Sequence, residues 1–217
     1  MALIFYYLSG SPFSWKVWLA LEHKQLDYEL RILSVDAGDL KSAEFLALNP
    51  RGKAPVLVDE VWPICESSAI VDYIEDRYPS SGAPLWPRDA HIKALARQAT
   101  IEADSFIYPN VRKLAVEVLM RKDGQPNMAV VGEAISALVS ELPRFAGMTQ
   151  GPYVAGIQPS VADYALYPFH AILKRVGARR PDLAIGTILP DAIHSWMMRV
   201  EALNHFAKTI PHHWGAS

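Results

Sequence analysis

The chain has 217 residues, 51% hydrophobic and 20% charged, enough for one large domain or two small ones around a sizeable core. Its net charge of −2, with acidic and basic residues interleaved, gives no support to nucleic acid or an anionic membrane as the main partner. One cysteine, Cys65, leaves no intramolecular disulfide and no cysteine-based metal site. With no signal-peptide pattern and no run of about 20 apolar residues, a cytoplasmic protein is expected.

Residues 2–7 (ALIFYY) form a short apolar, aromatic run that suits a buried strand. Ser11-Pro12 reads as a helix start, since proline is tolerated in a first turn, and apolar residues from Phe13 to Leu21 carry the helix to Lys24. Residues 28–33 suit a second strand, and 39–47 a short helix with Phe45 and Leu46. After the loop N-P-R-G-K, Ala54 to Val58 is a strand that begins on a proline; Asp59-Glu60 turns it into a hairpin partner, Val61 to Ile64. A helix then runs from Glu66 to Tyr78. That order predicts a mixed four-stranded sheet with helices on both faces.

Tyr78 to Pro84 is rich in proline, glycine and serine and reads as a linker. Helical patterns follow over 88–121, 128–146, 160–176 and 190–206, broken at Gly124-Gln125-Pro126, Gly151-Pro152 and Arg180-Pro181. The predicted division is 1–79, a linker at 80–87, and a helical domain at 88–217.

Three segments carry chemistry. Ser11-Pro12-Phe13-Ser14 opens the first helix, where unpaired N–H groups and the helix dipole stabilise an anion such as a thiolate. Thiol–disulfide oxidoreductases place C-P-[YF]-C there; serine at both cysteine positions removes dithiol redox chemistry and leaves a site for another molecule's thiolate. The alternative is that Ser11 is only an N-cap. Ala54-Pro55 starts a strand, and a cis bond there turns the backbone of Ala54 toward a peptide-like ligand; a trans proline on an edge strand is the other option. Glu66-Ser67 opens the third helix, with a hydroxyl for a carboxylate and an acid for an ammonium, or else a simple capping arrangement.

Together these segments resemble the cytosolic glutathione transferase family over nearly the whole chain. S-P-F-S-W-K-V-W resembles the stretch bearing the catalytic serine of the theta and zeta classes, or the cysteine of the omega class. N-P-R-G-K-A-P-V-L resembles the glutathione-backbone motif that ends in cis-proline, and E-S-S-A-I the motif that holds the γ-glutamyl end. The resemblance implies an α/β thioredoxin-like N-terminal domain followed by an all-α C-terminal helical bundle. Pro159 to Tyr164 resembles the family's capping box, with Ser160 and Asp163 at its ends.

Carried over residue by residue, the resemblance implies that Ser11 activates the sulfur of glutathione, the co-substrate. The backbone of Ala54 before a cis Pro55 would pair with the cysteinyl part, and Glu66 and Ser67 would hold the γ-glutamyl group. Lys53 and Lys41 would lie near the glycyl end, with Phe13 beside the site. Phe13, Phe106, Tyr108 and Arg112 are candidate walls for an electrophile, chosen by position. Tyr6 and Tyr7 close the first strand, about where the alpha, mu and pi classes use a tyrosine, and Ser9 is also in the loop. The S-P-F-S element favours Ser11, and Ser14 is expected to face the helix interior.

The family's habit implies a homodimer, with Arg77, Tyr78 and the helix from residue 88 as candidate interface. Rivals are an idle glutathione-binding carrier of the same fold, an omega-like thiol transferase lacking its cysteine here, and a zeta-like isomerase, whose S-S-C-S differs from S-P-F-S. Cys65 reads as a buried filler. The histidines show no H-x-x-x-H or H-E-x-x-H spacing, and His212-His213 lie in a terminal tail, so no metal is expected. Trp62, Trp86, Trp196 and Trp214 read as core or interface residues.

Overall fold

The structure, a computed structural model, describes residues 3–122, 124–149 and 151–214. They form two compact units: residues up to Trp86 together with those from Leu203 onward, and residues Pro87–Ala202.

In the first unit β1 (Leu3–Leu8), α1 (Pro12–His23), β2 (Tyr28–Leu33), α2 (Ala43–Leu48), β3 (Val56–Asp59), β4 (Trp62–Cys65) and α3 (Ser67–Arg77) follow in order. The sheet order is β2-β1-β3-β4, with β1 parallel to β2 and β3 antiparallel to both neighbours. Alternation along β1 sorts its residues onto two faces. Leu3, Phe5 and Tyr7 are fully buried, and the Tyr7 ring meets Trp18 of α1 edge-on at 4.8 Å. Ile4, Tyr6 and Leu8 pack on the other face with Phe45 and Leu48 of α2. Tyr6 and Tyr7 therefore point to opposite sides of the sheet.

Helix α1 is buried along nearly its whole length, because it is covered on two sides. One cover is α3, held by Lys24, whose buried Nζ donates to Glu75 at 3.0 Å. The other is the C-terminal strap, a turn of 3-10 helix at Phe206–Thr209 followed by another at His212–Trp214. Trp15 Nε1 donates to Thr209 Oγ1 at 2.9 Å, and Phe206 lies against the Trp15 ring. The expected helical domain of 88–217 thus gives up its last residues to the first unit: an apolar, tryptophan-rich face of α1 offers them more burial than solvent does.

At the far end of α3, the Asp59 carboxylate accepts from the hydroxyls of Tyr73 at 2.6 Å and Tyr78 at 2.8 Å. Burial and that carboxylate push the Tyr78 hydroxyl up to about 12. The polar end of Tyr78, a candidate interface residue, is therefore engaged within its own chain, with Arg77 stacked on its ring.

The second unit holds α4 (Ala90–Glu102), α5 (Tyr108–Leu114), α6 (Met128–Gly147), α7 (Val161–Arg179), the short α8 (Ile185–Ile188) and α9 (Asp191–Glu201). The single helix expected over 88–121 is helical throughout most of its length but widens into π-helical turns at Ala103–Ile107 and Ala115–Met120. Pro109 between them has no N–H to return to the carbonyl four residues back, which loosens the ladder there. Helix α7 is buried on all sides from Val161 to Leu173, as befits the centre of a bundle. Its start is the capping box: Asp163, fully buried, accepts from the N–H of Ser160 at 2.8 Å and of Val154 at 2.9 Å.

Each unit also buries a histidine. Burial lowers His23 and His170 from 6.5 to about 4. His170 Nδ1 bonds the Leu166 carbonyl at 2.9 Å, and its buried Nε2 has no hydrogen-bond partner among the described residues. The native state therefore holds fewer protons than the unfolded chain below about pH 6.5. Stability is full above that pH and falls as pH drops toward 4, by about 1.4 kcal/mol per pH unit per histidine. Stability measured by urea unfolding is expected to be about 4 kcal/mol lower at pH 5 than at pH 7 through the two together. Equal midpoints at the two pH values would contradict the burial of both rings as neutral species.

Candidate active site

Three chain segments leave the sheet at one end, and the register shows why. Tyr6 pairs with Val56 and Val56 with Cys65, so the exit from β1, the entry to β3 and the exit from β4 are neighbours. Ser11, Ala54-Pro55 and Glu66-Ser67 follow or precede those three points, and the pattern of strands brings them together.

The first segment is a turn closed by the Ser11 N–H on the Leu8 carbonyl at 3.0 Å, with Gly10 at φ +82 as its third residue. That conformation suits glycine and little else. Ser11 has extended backbone and is the N-cap of α1: its Oγ accepts from the Ser14 N–H at 3.3 Å. The capping bond uses a lone pair of the hydroxyl, and its single proton stays free to be donated elsewhere. Capping and thiol binding are thus compatible in one side chain. Ser14 is buried, and its Oγ accepts from the Leu8 N–H at 3.3 Å, which consumes it structurally.

The other hydroxyls of this loop are placed differently. Tyr7 Oη is buried without a hydrogen-bond partner of ordinary geometry among the described residues, and burial raises its pKa, with Ser9 and the Gly10 backbone opposing the rise. Tyr6 faces Phe45 on the far side of the sheet, with the Arg31 guanidinium over its ring. Ser9 Oγ lies 2.8 Å from His213 Nδ1 of the strap.

The second segment carries a cis peptide bond between Ala54 and Pro55. The loop before it is organised by Asn49, which is buried: its Nδ2 donates to the Lys53 carbonyl at 2.6 Å and its Oδ1 accepts from the Arg51 N–H at 3.1 Å. A Cβ on Gly52, at φ +58, would stand 2.8 Å from the Leu40 carbonyl oxygen, so this loop lies directly on the turn Asp39–Lys41. Lys41 and Lys53 consequently sit on adjoining segments, both exposed. Lys41 is on a single 3-10 turn rather than on α2, because Ser42 caps α2 by accepting from the Phe45 N–H and starts a new helix.

The third segment has an unusual backbone. Glu66 adopts φ 65 and ψ 115, a region sparsely used by residues with a Cβ, immediately before buried Ser67 at the first position of α3. Such conformations cost on the order of 1–3 kcal/mol and persist where the surroundings demand them. Glu66→Gly is expected to raise stability by about 1 kcal/mol, because glycine adopts positive φ without the Cβ penalty. Urea unfolding checks this; lowered stability would contradict the strain argument. Cys65 donates weakly to the Leu48 carbonyl, and burial and the Glu66 carboxylate push its thiol up, which suits a filler rather than a nucleophile.

Lys16, absent from the sequence-based candidates, is buried, lies over the Phe13 ring and donates to Ser68 Oγ at 3.0 Å, so it ties the first turn of α3 to α1. The signal for it was a lone charge in an apolar helix, and for Asn49 the Asn-Pro turn pair. In the second unit, Phe106 is exposed, and Tyr108 stacks on Phe169 at 5.3 Å with Arg112 opposing the rise that burial causes in its pKa. Among the described residues no group of three or more histidines, cysteines and acids is placed to hold a metal ion, and no helix is long and apolar enough to cross a membrane.

Comparison with known proteins supplies the family. The sequence family described as the N-terminal domain of glutathione S-transferases matches residues 5–82. Glutathione S-transferase 3 of Zea mays is 32% identical over 203 residues, 92% of this chain and 89% of its own length. Maleylacetoacetate isomerase of Rattus norvegicus is 32% identical over 168 residues, 76% of this chain and 75% of its own. The crystal structure of a glutathione S-transferase from the Antarctic clam Laternula elliptica superposes with a TM-score of 0.83 at 31% identity, over all of this chain and 95% of that one. With a sheet, a serine-capped first helix and an Ala54-Pro55 cis bond of the expected kind, and with relatives matched along nearly its full length, this chain belongs to the glutathione S-transferase family.

Proposed function

We propose that the protein binds glutathione at the sheet end described above, lowers the pKa of its thiol, and directs the thiolate at a small hydrophobic electrophile. The observation that carries this reading is Ser11: a half-exposed N-cap hydroxyl that accepts from the Ser14 N–H and donates to no group among the described residues. A free cysteine-like thiol ionises at about 8.5, and lowering that by about two units needs about 2.7 kcal/mol. One hydrogen bond to a charged acceptor, about 1.5–3 kcal/mol, and a helix N-terminus, about 0.3–1 kcal/mol, supply it.

In this reading Glu66 and Ser67 hold the γ-glutamyl end, the Ala54 backbone before Pro55 holds the cysteinyl part, and Lys41 and Lys53 attract the glycine carboxylate, with Phe13 alongside. Phe106, Tyr108 and Arg112 are the candidates for contacting the electrophile. The thiol proton leaves to solvent, the sulfur lone pair forms the bond to carbon, and the leaving group departs with the bonding electrons. A peroxide would be attacked at oxygen by the same thiolate, with a second glutathione completing a disulfide. No step uses a metal. The protein is read as cytoplasmic and detoxifying, and as a homodimer, supported by exposed Val61 and Trp62 at a hairpin tip; sedimentation at twice 24.1 kDa checks the last point.

A second reading, glutathione-dependent isomerisation of an unsaturated acid, is favoured by the similarity to the rat isomerase. Steady-state assays with an activated aryl halide, an organic peroxide and a cis-unsaturated diketo acid, each with and without glutathione, separate the readings. Glutathione-dependent turnover of the halide supports the first; turnover of the acid alone moves the assignment to the second. Glutathione binding with no turnover of any leaves a carrier.

A further inference from the structure

The C-terminal strap follows α1 from one end to the other. Lys208 pairs with Glu22 near the C-terminal end of α1 at 3.2 Å, and Thr209 accepts from Trp15 near its N-terminal end. His212 lies against the Trp18 ring at 5.9 Å, and Trp214 meets the Trp15 ring edge-on at 5.1 Å. His213 and Trp214 of the strap lie at the turn that precedes Ser11. A Cβ on Gly10 would stand 2.9 Å from His213 Cε1, so the imidazole rests directly on the backbone of that turn. His213 Nδ1 is 2.8 Å from Ser9 Oγ, and Trp214 Nε1 is 2.9 Å from His213 Nε2.

The two bonds together assign the protons. An indole N–H only donates, so Nε2 of a neutral imidazole must be the acceptor. The ring proton then sits on Nδ1 and is donated to Ser9 Oγ. Ser9 and Gly10 are the two central residues of the turn from Leu8 to Ser11. His213 therefore holds one central residue by a directed hydrogen bond and covers the other, and the orientation of the Ser11 hydroxyl depends on that turn.

We propose that His213 is a positioning residue for thiol activation: through Ser9 it fixes the turn that aims the Ser11 hydroxyl at the bound sulfur. This rests on the reading of Ser11 as the activating group. The strap is local to the first unit, so the proposal needs no contribution from the helical one.

The test compares wild type, His213→Ala and His213→Asn by the pH dependence of kcat/KM in glutathione conjugation, with urea unfolding in parallel. Asparagine keeps a donor close to the place of Nδ1. The expected result for His213→Ala is an apparent pKa about one unit higher and kcat/KM about tenfold lower below it, with KM for glutathione changed less than about threefold. His213→Asn is expected to recover most of the wild-type profile even if both variants lose the same stability. A wild-type profile with a depressed pKa that His213→Ala retains would overturn the role of His213 alone, as would equal pKa shifts in the two variants. A wild type whose profile stays at the free thiol value would overturn thiol activation by this site, and the positioning role with it.

Discussion

Asp163→Ala is expected to destabilise the protein by about 4 kcal/mol, at the severe end of what single substitutions do. The Asp163 carboxylate accepts four hydrogen bonds: from the Val154 N–H at 2.9 Å, Trp196 Nε1 at 2.8 Å, the Ser160 N–H at 2.8 Å and Ser160 Oγ at 3.1 Å. Burial pushes its pKa up and those donors pull it back. Alanine leaves three buried N–H groups without the acceptor they face, each at a cost of about 1–3 kcal/mol. It also separates the start of α7 from α9 and from the loop at Val154. Ser160→Ala, by contrast, removes one cap hydroxyl and is expected to cost about 1 kcal/mol. Urea midpoints of the two variants check the ratio; an Asp163→Ala loss no larger than that of Ser160→Ala would contradict the network.

Ser11→Ala is expected to lower kcat/KM for glutathione conjugation by about 30-fold at neutral pH, with KM for glutathione changed less than about threefold. The hydroxyl proton is aimed at a charge that exists on the thiolate and hardly on the thiol, so its loss falls on the reactive form rather than on binding as a whole. The same substitution removes the N-cap of α1, at about 1 kcal/mol of stability. A fold that survives with the rate unchanged would shift the activating role to other donors at this end of the sheet. The Tyr7 hydroxyl is a poor substitute there, since it is buried out of reach of solvent.

The elements that determine the site were legible because their signals are local. Ser11-Pro12 states where α1 begins, and the two-residue period of β1 separates Tyr6 from Tyr7. Ser160 and Asp163 announce a capping box in four residues, and the box is present with both of its bonds. Pro55 at the start of a strand left cis and trans open, and the cis bond agrees with the motif resemblance rather than with the general preference.

What sequence did not disclose is long-range. His213 and Ser9 are 204 residues apart, and no pattern near either one says that they meet. Nor does the alternation of charge and apolar residues around Lys16 say that its amine ends beneath Ser68. Lys41 was expected on a helix because residues 39–47, with Phe45 and Leu46, read as a single one; the cap at Ser42 divides that segment, and the Gly52 loop lies on the Leu40 carbonyl just before it. The π-helical turns on either side of Pro109 follow the same logic, since packing sets how a proline's missing donor is absorbed.

The most direct test of thiol activation is the ultraviolet thiolate titration of glutathione bound to the wild-type protein. The account predicts ionisation of the bound thiol near pH 6.5, about two units below the free value of about 8.5. A bound thiol that still ionises at its free value would contradict it.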